Sequence, residues 1–136
     1  MKYSLDTNAC IALINRRPPV IRNHFDQRLN QGSELFVSSV VVFELWYGVS
    51  KSSRRELNTS LLTGFLSGPV HFLGFDEQDA RFAGELRAEL ESVGRPISEY
   101  DLLIAGQALR HEMTLVTANT REFGRVKNLS WEDWSR

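Results

Sequence analysis

At 136 residues and 15.5 kDa the chain has the length of one domain with a substantial core, and 42% hydrophobic with 24% charged residues is ordinary for a soluble globular protein. A formal net charge of -1 excludes a global electrostatic pull toward nucleic acid, so any such binding must come from local patches. The single cysteine, Cys10, excludes an internal disulfide; with no signal peptide at Met1 and no apolar run near the roughly 18 residues of a membrane span, a cytoplasmic protein without membrane contact is expected.

Lys2 to Leu5 reads as a short strand that ends on Asp6, and the helical pattern Cys10, Ile11, Leu13, Ile14 follows at once. Thr7 or Asn8 suits the helix cap, since a short side-chain oxygen accepts from an orphan first-turn amide; Asp6 itself could equally fill that place. Pro18 or Pro19 suits the first turn of a second helix running to Gly32, with Val20, Ile21, His24, Phe25 and Leu29 near 3.6 spacing. Glu34 to Ser38 is a second strand. Ser38 or Ser39 then caps a helix from Val40 to about Lys51, although Val40-Val41-Val42-Phe43 would also extend the strand.

Ser52 to Leu66 is amphipathic and closes at Gly68-Pro69, and Val70 to Phe75 is a third strand. Asp76 opens a long helix to Gly94. After the loop Arg95 to Ser98, the spacing of Ser98 and Asp101 is close to a capping box at the head of the most apolar helix, Leu102 to Leu109. Thr114 to Thr117 is a fourth strand, Ala118 to Arg121 a loop, and Leu129 to Trp134 holds a short edge strand. Strands alternating with helices imply a parallel sheet covered on both faces, an α/β chain of three layers with four or five strands. Right-handed crossovers make the ends of the first and fourth strands neighbours at the switch point, where ligands bind. One compact domain over residues 1–136 is expected.

Three acids stand where solubility does not ask for them. Asp6 ends a strand, Glu44 lies in Val-Val-Val-Phe-Glu-Leu-Trp-Tyr among large apolar residues, and Asp101 heads the most apolar helix. No lysine lies at helical spacing from Glu44 or Asp101. Two carboxylates about 4 Å apart repel by about 4 kcal/mol at an effective dielectric near 20, so such a cluster binds protons or a cation. Oxygen ligands select Mg²⁺, or Mn²⁺ in its place, since no histidines or cysteines are grouped for zinc. That chemistry suits phosphodiester hydrolysis. Each acid also has a plain reading: Asp101 as a first-turn acid, Glu44 as a satisfied buried acid, Asn119 as a turn residue, Glu99 and Glu122 as solvated loop charges. His24, His71 and His111 stand apart and read as ordinary residues.

Together the residues resemble a known family. Leu5-Asp6-Thr7-Asn8, Ser38-Ser39 with Glu44-Leu45 and Tyr47-Gly48, and Arg95-Pro96-Ile97-Ser98 with Asp101-Leu102-Leu103-Ile104-Ala105-Gly106 resemble a PIN-domain ribonuclease. Leu115-Val116-Thr117, Asn119 to Phe123 and the closing Glu132-Asp133-Trp134 resemble the VapC toxins of bacterial toxin–antitoxin modules, so the match spans essentially the whole chain. The resemblance implies a single three-layer PIN domain whose catalytic positions are Asp6, Glu44, Asp101 and Asn119. It implies metal ligation by Asp6, Glu44 and Asp101. The fourth family position, often Asp, falls on Asn119, whose amide oxygen brings no charge, and Glu122 is the candidate to supply it. A Mg²⁺-dependent endoribonuclease acting on structured RNA, commonly tRNA, is implied. So are a VapB-type antitoxin, a homodimer, and operator DNA bound only through the antitoxin complex.

Arg16, Arg17 and Arg22 near one pocket rim, and Lys51, Arg54 and Arg55 beyond Glu44, are candidate phosphate contacts or plain solvated charges. Phe43, Trp46, Tyr47 and Phe65 form a candidate antitoxin groove or dimer face, with core packing the competing explanation. Two other functions compete with the nuclease. One is a phosphorylated receiver domain, which shares the acidic pocket but lacks here a paired acid and a strand-terminal lysine. The other is a non-catalytic corepressor subunit, favoured only by the missing charge at Asn119.

Overall fold

A computed structural model describes residues 1–136. Twelve elements follow one another: β1 (Lys2–Leu5), α1 (Thr7–Asn15), α2 (Pro19–Asn30), β2 (Glu34–Ser38), α3 (Ser39–Ser50), α4 (Arg55–Leu66), β3 (His71–Leu73), α5 (Glu77–Ser92), α6 (Glu99–Arg110), β4 (Thr114–Val116), α7 (Thr120–Phe123) and β5 (Trp131–Glu132). The five strands form one parallel sheet in the order β3-β2-β1-β4-β5, flanked by helices. Burial explains why β1 and β4 lie centrally. Tyr3, Ser4 and Leu5 are all buried, as are Thr114, Leu115 and Val116, so neither strand has a solvent face.

The order reverses between β1 and β4, which pair Tyr3 with Thr114 and Leu5 with Val116. The crevice at a switch point therefore opens just beyond Asp6 and Thr117. A receiver-type sheet of order 2-1-3-4-5 would put β3 beside β1; here that place belongs to β4, and the receiver reading falls.

Several boundaries differ from the sequence expectation. The valine run is helical, not strand, because Ser38 ends β2 and its hydroxyl accepts from the Val40 amide at 3.1 Å. Helix α4 starts at Arg55, since Ser52 is held in a turn by Val49 O and Asn58. Strand β3 stops at Leu73 because side chains take the next backbone groups: Gln107 donates to Gly74 O, and Ser39 accepts from the Phe75 amide. Thr120 and Arg121, expected as part of the loop from Ala118, instead open a single helical turn, Thr120–Phe123.

Helix α6 runs through the interior, with Leu102, Ile104, Ala105, Gly106, Gln107 and Ala108 all buried. A Cβ on Gly106 would stand 2.8 Å from the Ala83 Cα, so only glycine lets α5 and α6 approach this closely. The C-terminus is fastened by the buried Trp134, whose ring meets Tyr3 and His24, with the Arg28 guanidinium against Tyr3 and Trp134 and donating to Glu132. His24 and His111 are thus not isolated: His24 packs on Trp134, and His111 Nε2 lies 3.2 Å from Asp79. No helix is long and apolar enough to cross a membrane.

Candidate active site

Asp6 leaves β1 at the switch point and is 4% exposed. It caps α1 itself, accepting from the Ala9 amide at 2.8 Å, so neither Thr7 nor Asn8 is the cap. Burial pushes its carboxyl up; the Thr117 hydroxyl and the Ala9 amide work against this, while Glu44 and Asp133 add to it. Freed from capping, Thr7 donates its hydroxyl to Glu44 Oε1 at 2.6 Å. Glu44 is half-buried rather than immersed among large apolar side chains, because Phe43, Trp46 and Tyr47 around it are exposed.

Asp101 lies in the first turn of α6, and burial, with the neighbouring Glu122 and Asp6, pushes its carboxyl up to about 7. It does not close a capping box. The Ser98 amide donates instead to Glu122 Oε1 at 2.7 Å, and the Ser98 hydroxyl to Glu122 Oε2 at 3.4 Å. Asn119 sits between the two acids, and its amide nitrogen donates to Asp101 Oδ2 at 3.0 Å and to Glu122 Oε2 at 2.9 Å. Asp101 is the largest cause holding Glu122 down at about 2, and the Asn119 and Ser98 donors add to it. Asp101 and Glu122 therefore titrate as a pair, the first pushed up by burial and by its acidic neighbour, the second held down. Asn119 turns its donor, not its carbonyl, toward the acids.

The structure therefore brings Asp6, Glu44, Asp101, Asn119 and Glu122 to one rim, as a pair around Thr7 and Thr117 and a pair around Asn119 and Ser98. None of the four acids has an arginine, lysine or histidine within salt-bridge distance. No three carboxylates, histidines or cysteines close around one point. The donor set is all oxygen, and magnesium takes one or two carboxylates and keeps its waters, so an open pair fits that ion better than a closed cage. Thr7, Thr117 and Ser98 are the members that sequence reasoning missed. Thr7 and Ser98 looked like caps, and their signal is a hydroxyl one residue after Asp6 and three before Asp101.

None of the basic residues that are candidate phosphate contacts pairs with a rim acid. Arg16 is the C-cap of α1, about 15 Å along that helix from Asp6; Arg22 pairs with Asp26, and Lys51 lies over the Tyr47 ring. An apolar groove of about 310 Å³ instead starts at Glu44 and runs between α1, α3 and α4, past Ile11, Ile14, Leu45, Val49 and Leu61.

The family model described as PIN domain matches residues 3–129. The tRNA(fMet)-specific endonuclease VapC of Shigella flexneri is 44% identical over 135 residues, covering 99% of each chain. The chain belongs to the VapC family of PIN-domain ribonucleases. Ribonuclease VapC2 of Rickettsia felis is 43% identical to this VapC-family chain over 100% of both. Among solved structures, VapBC2 from Rickettsia felis bound to a DNA fragment from their promoter matches with a TM-score of 0.92 and 42% identity, over 98% of this chain and 99% of that one. DNA-bound VapBC from Salmonella typhimurium matches with a TM-score of 0.90 and 39% identity, over 98% of each. PIN-domain ribonucleases generally use a divalent metal, which agrees with an all-oxygen, cation-free rim.

Proposed function

We propose that this VapC-family chain is the toxin of a VapBC pair, a Mg²⁺-dependent endoribonuclease that cuts structured RNA of the tRNA class. The observation that carries this is the rim itself: Asp6, Glu44, Asp101 and Glu122 gathered at the switch point with no cation of the protein's own. Asp6, Glu44 and Asp101 would hold the ion, directly or through water, with Glu122 adding charge where Asn119 brings none. When bound, the ion supplies an activated water and offsets charge developing on the phosphate. Thr7 fixes the rotamer of Glu44, and Asn119 holds Asp101 and Glu122 at a set spacing despite their repulsion. A protonated Asp101 binds a cation poorly, so cleavage should rise as pH passes about 7.

The tRNA class is supported by the Shigella flexneri relative, a tRNA(fMet)-specific endonuclease. The antitoxin partner follows from the VapBC complexes, and the groove suits it: an amphipathic segment lying along Ile11, Leu45 and Leu61 would bring a basic side chain to Glu44 and silence the rim. A homodimer that meets operator DNA only through the antitoxin completes the proposal. The competing corepressor reading is favoured by Asn119 and by the open spacing of the acids.

The deciding experiment is incubation of antitoxin-free protein with total RNA and Mg²⁺, with and without EDTA. Discrete cleavage of the tRNA fraction that EDTA abolishes is expected. Intact RNA under all conditions would leave the corepressor.

A further inference from the structure

The acid rim addresses the phosphodiester of a nucleotide and leaves its base without a site. Phe43 on α3 and Tyr100 on α6 are the chain neighbours of Glu44 and Asp101, and their side chains meet across the seam between those helices. Their ring centroids are 5.5 Å apart and their planes cross at 64°. Both rings stay open to solvent, at 53% and 46% exposure. The other aromatic contacts differ. Two are built on the buried Trp134, one joins Phe36 to His71 at the β2–β3 edge, and the Tyr47 ring already carries the Lys51 ammonium 4.9 Å from its centroid.

We infer that Phe43 and Tyr100 form a stacking corner for one unpaired nucleobase beside the bond that is cut. The inference rests on the ribonuclease reading of the rim. Single-stranded RNA is held by aromatic side chains because every base has a π-face, and bases splayed from loops are the ones such rings reach. Two rings at 64° hold a base flat on one and abut its edge with the other. Each ring sits one residue from an acid on the same helix, so the corner lies along the α3–α6 seam whose two helices also carry Glu44 and Asp101. The corner would make an unpaired nucleotide a requirement at the cleavage site, with little preference for its identity.

The test uses the full chain without antitoxin and a short unpaired RNA carrying 2-aminopurine, whose fluorescence is quenched on stacking. Wild-type protein is expected to quench it. Phe43→Ala and Tyr100→Ala should each abolish most of the quench and raise KM about tenfold with kcat nearly unchanged. Tyr100→Phe and Phe43→Tyr, which keep the ring, should behave as wild type, and unchanged melting temperatures would show that all four variants fold. Alanine variants that quench and cleave normally would overturn the inference. So would alanine variants that bind RNA normally but lose self-association or antitoxin binding, because the rings would then serve a protein interface. Quenching that depends on both rings but comes without any cleavage would remove the ribonuclease reading and, with it, the corner's place beside a cut bond, leaving only a base-binding site. Cleavage with a quench indifferent to both rings would remove the corner alone.

Discussion

Asp79 and Asp101 occupy the same place in two adjacent helices, the third residue of α5 and of α6, yet their surroundings are opposite. Asp79 is fully buried and fully answered. It accepts from the Asp76 amide at 2.9 Å to close a capping box, from Gln107 at 3.1 Å and from Arg110 at 2.9 Å, with His111 at 3.2 Å. Asp101 closes no box, because Glu122 has taken the Ser98 amide, and its neighbours are the neutral Asn119 and Ser98 side chains and the acid Glu122. The fold thus spends one acid on joining two helices and leaves the other without a counter-charge. Burial of an acid alone does not mark a functional site; burial without a cation does.

The largest effect is expected where the acid is structural. Asp79→Ala strips the partners from Arg110 and Gln107 between α5 and α6 and should cost about 3–5 kcal/mol in urea unfolding, as for other broken buried pairs. A cost under about 1 kcal/mol would erase the contrast with Asp101.

Next comes Thr7→Val, which removes the hydroxyl from Glu44 without changing the shape of α1. A hydrogen bond to a charged group is worth about 1.5–3 kcal/mol, so cleavage should fall at least about tenfold, with Thr7→Ser restoring most of it. Equal cleavage by the valine variant would show that Glu44 needs no such support.

The smallest effect is a pH dependence of the metal-free protein. Folded Asp101 keeps its proton up to about 7 whereas the unfolded chain releases it near 3.8, so the native state binds more protons in that window and melting temperature should decline as pH rises through it. Glu122, held down at about 2 from 4.5, acts oppositely and adds stability as pH rises between those values. Asp101→Asn should flatten the decline between pH 5 and 7. A decline that persists in that variant would assign it to other groups.

Much of this layout was legible from residue order. The alternation of short apolar runs with 3.6-spaced helices is set by local chain geometry, and it yields the parallel sheet and the meeting of β1 with β4. Family resemblance then marked the acids, because Asp6, Glu44 and Asp101 each keep a recognisable local context. What escaped were pairings across long chain separations. Glu122 reaching back 24 residues to Ser98, Thr7 turning to Glu44, and Arg110 closing on Asp79 depend on which helix faces which, and no periodicity encodes that. Arg16 shows a related limit: it is near Asp6 in sequence but lies at the opposite end of α1.

The most direct test of the uncompensated rim is thermal melting at pH 8 of wild-type and Asp101→Asn protein, each with EDTA and with millimolar Mg²⁺. Repulsion at the rim requires that Mg²⁺ raise the wild-type melting temperature by several degrees, that metal-free Asp101→Asn melt above metal-free wild type, and that the variant gain little from the ion. A wild-type melt indifferent to Mg²⁺, with Asp101→Asn less stable than wild type in EDTA, would contradict it.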